Sequence, residues 1–393
     1  MTCRELVIVA PNYAPAIGGG ALYYKLLAEG LAERGLVERV TVLTEAHPGC
    51  PRVERTCGGR VVVRRNYPYR TARAERHWNR FLFYAAENVG FAGLLLRRWR
   101  PGSVLLVHSS FHLHANTLRW IVPLLRRLPQ AGVLGARPAL VVDVRDPQLA
   151  GARLRELRAY DAIIACSESV AVSLSGESGL VDRIHAIPIP LAIEAPDRQA
   201  RRAALARHGL SSGSYVFWTN GILRRKNITL ALDAMRRVRA RRPELILAVA
   251  GRRRDWDETF EAAAWEGVLT YLGPLAHAEV LALAVEAALV LNISEVEGMP
   301  RAALEALAVG ANVLLPPGVP EFATACAGRV ADTRDAKDLA VQIEAALGEK
   351  LEPCRYSLEP HALDQVLPRY DALFSGLAGS PEGRSRVNRI RSL

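Results

Sequence analysis

The stretch AALVLNISEVEGMPRAALEALAVG, residues 287–310, joins a short apolar run to a helical pattern. The apolar run indicates a buried strand, Pro300 suits the first turn of the following helix, and Gly310 suits its end. Apolar residues fill most positions between them, so this helix is expected to be buried on most sides. A carboxylate is costly to bury without a partner, yet Glu305 lies within the helix and Glu297 in the turn before it.

Two interpretations account for these acids. In one, Glu305 pairs with Arg301, four residues earlier on a partly exposed helix, and the pair has only a structural role. In the other, both carboxylates accept hydrogen bonds from a ligand. Other motifs in the sequence are needed to distinguish a structural pair from a binding site.

Short apolar runs alternate with helical patterns along the chain, which indicates α/β units with parallel sheets. The strands predicted in the first half are ELVIVA, RVTVLT, RVVVRR, SVLLVH, ALVVDV, DAIIAC and IHAIPI. After a looser connection over residues 188–213, the second series is YVFWTN, LILAVA, VLTYLG, ALVLNI and NVLLPP. We predict two Rossmann-like, doubly wound α/β domains, residues 1–195 and 196–375, facing each other across a cleft. Residues 376–393 form a basic tail that we expect to be frayed.

The composition narrows the classes of partner. The 393 residues are 50% hydrophobic and carry a formal net charge of +11, which would attract a phosphorylated ligand, an anionic lipid or nucleic acid. No basic stripe is interleaved with aromatic residues, so nucleic acid is not predicted. The sequence shows no signal-peptide pattern and no apolar run near the roughly 20 residues of a membrane span, so we expect a cytoplasmic protein. The six cysteines include no CxxC pair and are expected to be reduced thiols.

Three consecutive glycines, Gly18, Gly19 and Gly20, follow the first predicted strand. Glycine lets a backbone approach a ligand closely, and the N-terminus of the following helix favours an anion. A plain flexible loop explains the glycines equally well.

The stretch TNGILRRKN, residues 219–227, follows the first strand of the second domain and carries the adjacent cations Arg224, Arg225 and Lys226. Basic groups just before a helix N-terminus oppose the helix dipole. A diphosphate bound between the cations and the helix would remove this conflict. A solvated run of charge is the alternative.

Together these residues match a known family. EGMPRAALEALAVG resembles the E-x7-E donor motif of the retaining glycosyltransferases of family four, which have the GT-B fold of two Rossmann-like domains, with Glu297 and Glu305 as the two acids. GVPEF resembles the family's segment after the next strand, and Lys226 matches the lysine of its phosphate clamp. The arginine expected five positions before that lysine is replaced by Gly221. We expect a neighbouring cation, Arg224 or Arg225, to substitute for it.

The resemblance implies a role for each matched residue. Lys226 would bind the donor diphosphate and stabilise the leaving group, and Glu305 would bind hydroxyls of the nucleoside. Glu297 would engage the transferred sugar, helped by the turn residues Gly298, Met299 and Pro300. The glycine loop of the first domain would reach the donor phosphates when the domains close. The first domain would hold the acceptor, and the second the nucleotide sugar.

VVDVRDP, residues 141–147, stands where many relatives carry a catalytic-site histidine. Arg145 could bind donor phosphate or an anionic acceptor there, with Asp146 orienting it; a structural Arg–Asp pair is the alternative. The nearby HSSFHLHAN supplies His108 and His112 as acceptor-side candidates. No carboxylate or cysteine accompanies these histidines, so no metal site is predicted.

The implied reaction transfers a sugar from a nucleoside-diphosphate sugar to an acceptor hydroxyl with retention, by a front-face route, and needs no cofactor. The acceptor is expected to be a glycan or a lipid-linked glycan. Arginines near Trp78 and Trp99 could touch an anionic membrane, at Arg97, Arg98 and Arg100, although a solvated helix face explains them equally well.

Three other functions are compatible with parts of this sequence. A dinucleotide-dependent oxidoreductase should show G-x-G-x-x-G after its first strand, and the triple glycine lacks that spacing. Another GT-B enzyme, an epimerase or a phosphorylase, would share the fold. A degenerate transferase that only binds a nucleotide sugar would also fit the missing clamp arginine.

Overall fold

The computed structural model describes residues 3–67, 93, 102–109, 138–145, 154–176, 179–348 and 354–378. Its contacts divide the chain into two units, Met1–Leu191 with Pro360–Leu393, and Ala192–Glu359. Both units are α/β, as predicted.

The described strands of the first unit form one eight-stranded sheet. They are β1 Cys3–Val9, β2 Val37–Glu45, β3 Val53–Thr56, β4 Val61–Tyr67, β5 Ser103–His108, β6 Ala139–Val144, β7 Ala162–Ala165 and β8 Ile184–Ala186. Their order is β3-β4-β2-β1-β5-β6-β7-β8, and only β3 runs antiparallel to its neighbour. All seven predicted apolar runs are strands. The short edge strand β3 was not predicted, because its sequence VERT has no apolar run.

The described helices of the first unit are α1 Gly19–Glu33 and α2 Glu168–Ser175, together with the last helix of the described chain, α10 Leu363–Ala378. Buried strands such as β6, on which every residue is buried, form the centre of this unit. Parallel strands buried on both faces are typical of a sheet covered by helices on each side.

The second unit contains a five-stranded parallel sheet of order β11-β10-β9-β12-β13. Its strands are β9 Tyr215–Trp218, β10 Ile246–Ala250, β11 Leu269–Gly273, β12 Leu289–Leu291 and β13 Val313–Leu314. Its helices are α3 Arg198–His208, α4 Ile228–Arg239, α5 Glu258–Trp265, α6 His277–Glu286, α7 Arg301–Ala308, α8 Pro320–Ala325 and α9 Ala336–Gly348. All five predicted strands are present. Helix α7 begins directly after Pro300 and is followed at Gly310 by a residue with φ of 72°, as its sequence predicted.

The last helix belongs to the first unit, which corrects the predicted assignment of residues 363–375 to the second domain. Two hydrogen bonds hold the chain to the first unit just before this helix. The Nδ1 atom of buried His361 lies 2.8 Å from the Ile189 carbonyl oxygen, and Leu191 N donates to the His361 carbonyl at 2.8 Å. Helix α10 then buries Leu367, whose Cδ1 would lie 2.7 Å from a Cβ at Gly30 of α1. The absent side chain at Gly30 therefore lets the two helices pack closely. Of the predicted basic tail, only residues 376–378 are described, and they end α10.

Candidate functional site

The strand order of the second unit identifies where a ligand can bind. Strand β9 is flanked by β10, the next strand along the chain, on one side and by β12 on the other. The chain therefore reverses its direction of winding between β9 and β12. In open α/β sheets, ligands bind at the carboxyl ends of the strands beside such a switch point. The loops that leave these two strands contain the predicted clamp lysine and the first acid of the E-x7-E motif.

Lys226 and Glu297 meet across this switch point. The lysine Nζ donates a hydrogen bond to Glu297 Oε1, and the two side chains are only 11% and 15% exposed. Lys226 closes a 3₁₀ turn, Arg224–Lys226, and the left-handed Asn227 then begins α4. The Asn227 amide donates at 3.2 Å to the Ile293 carbonyl and to Glu295 Oε1, which ties the two loops together.

Glu305 lies on α7, one element beyond this pair. Its Oε1 accepts from Arg301 Nε at 2.6 Å and lies 2.8 Å from His277 Nε2 at the start of α6. The Arg301–Glu305 pair of the first interpretation therefore exists, but it is buried, with side chains 8% and 10% exposed, rather than partly exposed. No described residue donates to Glu305 Oε2, which leaves that oxygen for another partner. His277 was missed from the sequence, because nothing local relates it to Glu305.

Position 221 explains the missing clamp arginine. Gly221 has φ of 64°, and a Cβ there would lie 2.4 Å from the carbonyl oxygen of Arg252 and 2.8 Å from its nitrogen. Gly251, with φ of 117°, faces it, and a Cβ on Gly251 would lie 2.8 Å from Gly221 N. Only glycine tolerates both this backbone conformation and this approach. The loops after β9 and β10 therefore touch through their backbones.

The two arginines expected to substitute for the clamp are both exposed. Arg224 is engaged elsewhere: its guanidinium pairs with Asp257, and its backbone nitrogen donates to Asp255 Oδ2 at 2.8 Å. Arg225 pairs with no described carboxylate. The predicted substitution by one of these two residues is untested by these contacts.

Some of the buried polar atoms that have no hydrogen-bond partner among the described residues lie at the same strand ends, and others lie at strand ends of the first unit. The Asn292 amide nitrogen and oxygen and the Ser294 hydroxyl follow β12, and the residues are 1% and 0% exposed. The Asn220 amide nitrogen, after β9, is also buried and unpartnered. Orphaned buried groups are uncommon and call for an explanation such as water or a ligand. Asn220, Asn292 and Ser294 lie in or directly after the predicted strands YVFWTN and ALVLNI, and this position is the only signal for them in the sequence.

The turn residue Met299 contacts the chain segment that follows residue 353. The Tyr356 hydroxyl lies 3.9 Å from Met299 Sδ, and the Tyr356 ring packs edge-on against Phe322 at 5.1 Å. A disulfide between Cys326 and Cys354 anchors this segment. The expectation that all six cysteines are reduced is therefore wrong for this pair, because the fold brings together two residues that are 28 positions apart.

In the first unit, the glycine loop and His108 also flank a switch point, between β1 and β5. Gly18 has φ of 146° and precedes α1, whereas Gly19 and Gly20 are its first residues. A Cβ on Gly18 or Gly20 would have no atom within 4 Å, so the loop has open space beside it. The His108 ring lies edge-on to Tyr24, with centroids 5.9 Å apart.

Arg145 lies just after β6 in a buried cluster with Asp143 and tyrosines. Its Nε is 3.5 Å from Asp143 Oδ2, and its guanidinium carbon lies 3.3 Å from the centroid of the Tyr23 ring. The Tyr24 hydroxyl donates to Asp143 Oδ2 at 2.7 Å, while the hydroxyls of Tyr23 and Tyr370 hydrogen-bond to each other. The structural alternative for Arg145 is thus an actual ion pair, with Asp143 as the partner.

Burial governs the titration of this cluster. It raises the pKa of the Asp143 carboxyl above its usual value, and Arg145 and the Tyr24 hydroxyl offset this only in part. Burial by itself would lower the pKa of Arg145, but the adjacent Asp143 and tyrosines hold it above its usual value. The pKa values of Tyr23 and Tyr24 are likewise raised, chiefly by burial.

Three predicted features lie in parts of the chain that the structure does not describe. Asp146, His112 and the region around Trp78 and Trp99 lie outside the described residues. Within the described part, no group of three or more histidine, cysteine, aspartate or glutamate residues could hold a metal ion. No described helix is long and apolar enough to cross a membrane.

Comparison with known proteins is consistent with this arrangement. Residues 203–357, which include every described site residue of the second unit, match the sequence model of the family described as glycosyl transferases group 1. No curated protein matches the chain by sequence.

Several solved structures share the fold. A UDP-forming alpha,alpha-trehalose-phosphate synthase from Burkholderia vietnamiensis is 16% identical over 100% of both chains, with a TM-score of 0.65. The sucrose-phosphate synthase of Thermosynechococcus elongatus is 16% identical, covering 99% of this chain and 98% of its own, with a TM-score of 0.66. An E. coli structure bound with UDP-2-fluoro glucose is 13% identical over 96% and 99%, with a TM-score of 0.63. The chain therefore has the GT-B fold of two Rossmann-like domains.

Proposed function

We propose that this protein is a retaining glycosyltransferase that moves a sugar from a nucleoside-diphosphate sugar to an acceptor hydroxyl. The observation that carries the proposal is the largely buried Lys226–Glu297 pair at the switch point of the second sheet, with side chains 11% and 15% exposed. A buried ion pair contributes little net stability compared with apolar packing. A site that must bind both a phosphate and a sugar hydroxyl gives each member of the pair a use.

In this proposal, donor binding exchanges the partners of the pair. The diphosphate takes Lys226, whose positive charge stabilises the leaving group as the glycosidic bond breaks. Glu297 is released to accept hydrogen bonds from the transferred sugar, and the turn Gly298, Met299 and Pro300 orients it. The open Oε2 of Glu305 accepts from ribose hydroxyls, while Arg301 and His277 hold its other oxygen. Lys226 supplies the charge that the leaving group needs, so the proposal includes no cofactor.

The acceptor is proposed by class. One structure of similar fold, a synthase from Burkholderia xenovorans, is described in complex with glucose-6-phosphate. A sugar phosphate is thus a candidate beside the glycan or lipid-linked acceptor that the sequence suggested, and the net charge of +11 suits either anionic form. Peripheral contact with an anionic membrane, and the acceptor-side roles of Asp146 and His112, stay predictions.

The first test is the thermal stabilisation of the purified protein by UDP, GDP, ADP and TDP sugars without added metal. We expect one nucleotide base to raise the melting temperature. The Glu305→Gln variant should lose this shift. The control variant Glu344→Gln, which changes a carboxylate on α9 that pairs with Arg241, should keep it. A shift with none of the four sugars would overturn the donor site.

Turnover then separates the remaining alternatives. Sugar transfer to glucose 6-phosphate or to a lipid-linked glycan, with the anomeric configuration followed by NMR, would establish the reaction. Donor binding without turnover across these acceptors would favour a non-catalytic binding protein. Turnover that requires inorganic phosphate and no acceptor would favour a phosphorylase.

A further inference from the structure

We propose that Arg252 provides the second cation of the donor phosphate site, in place of the arginine that position 221 cannot carry. This inference rests on the proposed function and assigns a residue that is neither part of the E-x7-E motif nor adjacent in sequence to Lys226. The chemical group that Arg252 would bind is the diphosphate of the donor.

The need for another cation follows from charge. Lys226 is the only one of the three adjacent cations that is buried at the switch point, and it already pairs with Glu297. A diphosphate carries at least two negative charges, and Arg224 is engaged by Asp257. Donor binding would therefore leave phosphate charge uncompensated unless a further basic group lies within reach.

Backbone geometry places Arg252 beside the vacant position. The three atoms nearest to a Cβ at Gly221 are the oxygen, nitrogen and carbonyl carbon of Arg252, at 2.4, 2.8 and 3.2 Å. Ile222 N donates to the Arg252 carbonyl at 2.9 Å, which holds the two loops in this register. A side chain from residue 252 thus starts close to where one from residue 221 would have started, at the carboxyl end of the neighbouring strand β10.

The other arginines of this loop fit the role less well. The Arg253 guanidinium carbon lies 5.6 and 5.8 Å from the ring centroids of Trp256 and Tyr271, so it has an aromatic surface to pack on. Arg254 is exposed but is not among the residues nearest to Gly221. Arg252 is exposed too, and no described carboxylate pairs with it. Its planar guanidinium can hydrogen-bond to two phosphate oxygens at once, as arginine commonly does.

The experiment compares charge removal at neighbouring positions of one loop. Binding of UDP, GDP, ADP and TDP, and of the monophosphate of whichever base binds, is measured by calorimetry for the wild type and for Arg252→Met, Arg254→Met, Arg225→Met and Arg252→Lys. Methionine keeps an unbranched apolar chain and removes the charge. We expect Arg252→Met to weaken diphosphate binding about 10-fold or more and monophosphate binding distinctly less. The diphosphate affinity of Arg254→Met should stay within about twofold of the wild-type affinity, since a solvated charge contributes little.

The outcomes distinguish the role of Arg252 from the proposed donor site itself. Equal, small effects of the two substitutions, with normal binding by the wild type, would overturn the role of Arg252 and leave the proposed function intact. The same holds if Arg225→Met, and not Arg252→Met, causes the loss. If the wild type binds none of the four diphosphates, the donor site itself fails and Arg252 with it. Arg252→Lys, which restores the charge without the planar fork, should recover part of the affinity, and this recovery excludes misfolding as the cause.

Discussion

The carboxyl ends of the two sheets carry ion pairs whose cations are similarly exposed but whose surroundings differ. The Lys226 side chain in the second unit is 11% exposed, and the Arg145 side chain in the first unit is 16% exposed. Around Lys226, the amides of Asn220 and Asn292 and the Ser294 hydroxyl have buried atoms without a partner among the described residues, and no described residue donates to Glu305 Oε2. Asp143 Oδ1 and Arg145 Nε are also buried without a hydrogen-bond partner in the described part of the chain. Arg145 lies against an aromatic ring, and its partner Asp143 is 1% exposed beneath tyrosines.

The aromatic covering of Arg145 and Asp143, rather than exposure or unmet hydrogen bonds, is therefore what distinguishes the two pairs. Polar groups that lack partners can bind a ligand at little cost, because no existing hydrogen bond has to be broken first. A pair sealed by aromatic rings must be dismantled before it can bind anything. The assignment of Arg145 as a catalytic residue stays a prediction, and the comparison supplies ways to test it.

The largest expected effect concerns the sealed pair. Asp143→Ala leaves Arg145 and the Tyr24 hydroxyl without their buried acceptor, and we expect a loss of about 3 kcal/mol in unfolding free energy. Glu297→Ala removes a carboxylate that is 15% exposed, against 1% for Asp143, and should cost less, about 1–2 kcal/mol, because water can replace part of the lost contact with Lys226. Urea unfolding of both variants measures the difference. Equal losses would contradict the distinction between a sealed and an open pair.

The next effect concerns catalysis in the second unit. If the proposed function is right, Lys226→Ala and Glu305→Gln should each lower the rate of transfer by about 100-fold or more, because each removes a charged group that is proposed to contact the donor. The far-ultraviolet circular dichroism should be unchanged, since glutamine still offers an oxygen to Arg301. Glu344→Gln serves as the control. Full activity in both site variants would remove the donor assignment and with it the contrast between the two sheet edges.

A smaller effect tests the backbone contact at position 221. Gly221→Arg restores the arginine that the family motif would place there, yet we expect it to lower the unfolding free energy by about 1–3 kcal/mol without tightening nucleotide binding. The reason is the positive φ of 64° and the Arg252 carbonyl, 2.4 Å from the new Cβ. Gly328→Ala, at a site with no atom within 4 Å of its Cβ, should be close to neutral. A stable Gly221→Arg protein with tighter binding would show that the loop after β10 can move aside.

The smallest expected effect is a pH dependence of the sealed pair. The pKa of Asp143 is raised in the folded protein, mainly by burial, above the usual value near 3.9 of an unfolded chain. Its contribution to stability is therefore fully present below about pH 3.9 and is lost as the pH rises through the raised folded-state pKa. Relative to Asp143→Asn, the wild type should thus lose about 1.4 kcal/mol over this window for each unit by which the pKa is raised. Urea unfolding of both proteins from pH 3.5 to 8 tests this; a difference that grows in favour of the wild type with rising pH would refute it.

The candidate site could be predicted from sequence only to the level of single side chains. Lys226 and Glu297 were selected because each follows a strand, and the carboxyl ends of parallel strands meet at one edge. Their direct pairing was not predicted, nor was the contact of His277 with Glu305, which joins two helices through the fold. The role of Gly221 was also hidden, because its constraint comes from the backbone of residue 252 and not from its own neighbours.

The sequence by itself determined the alternation of strands and helices, since apolar runs and helix termini depend on residues close in the chain. It also determined which loops leave the strands at the ligand-binding edge. The tertiary structure decided the edge strand β3, the return of α10 to the first unit and the Cys326–Cys354 bond. It also decided the contacts of Lys226 with Glu297, of Arg145 with Asp143 and of His277 with Glu305. These features depend on contacts between residues far apart in the chain, and local periodicity carries no information about which distant surfaces meet.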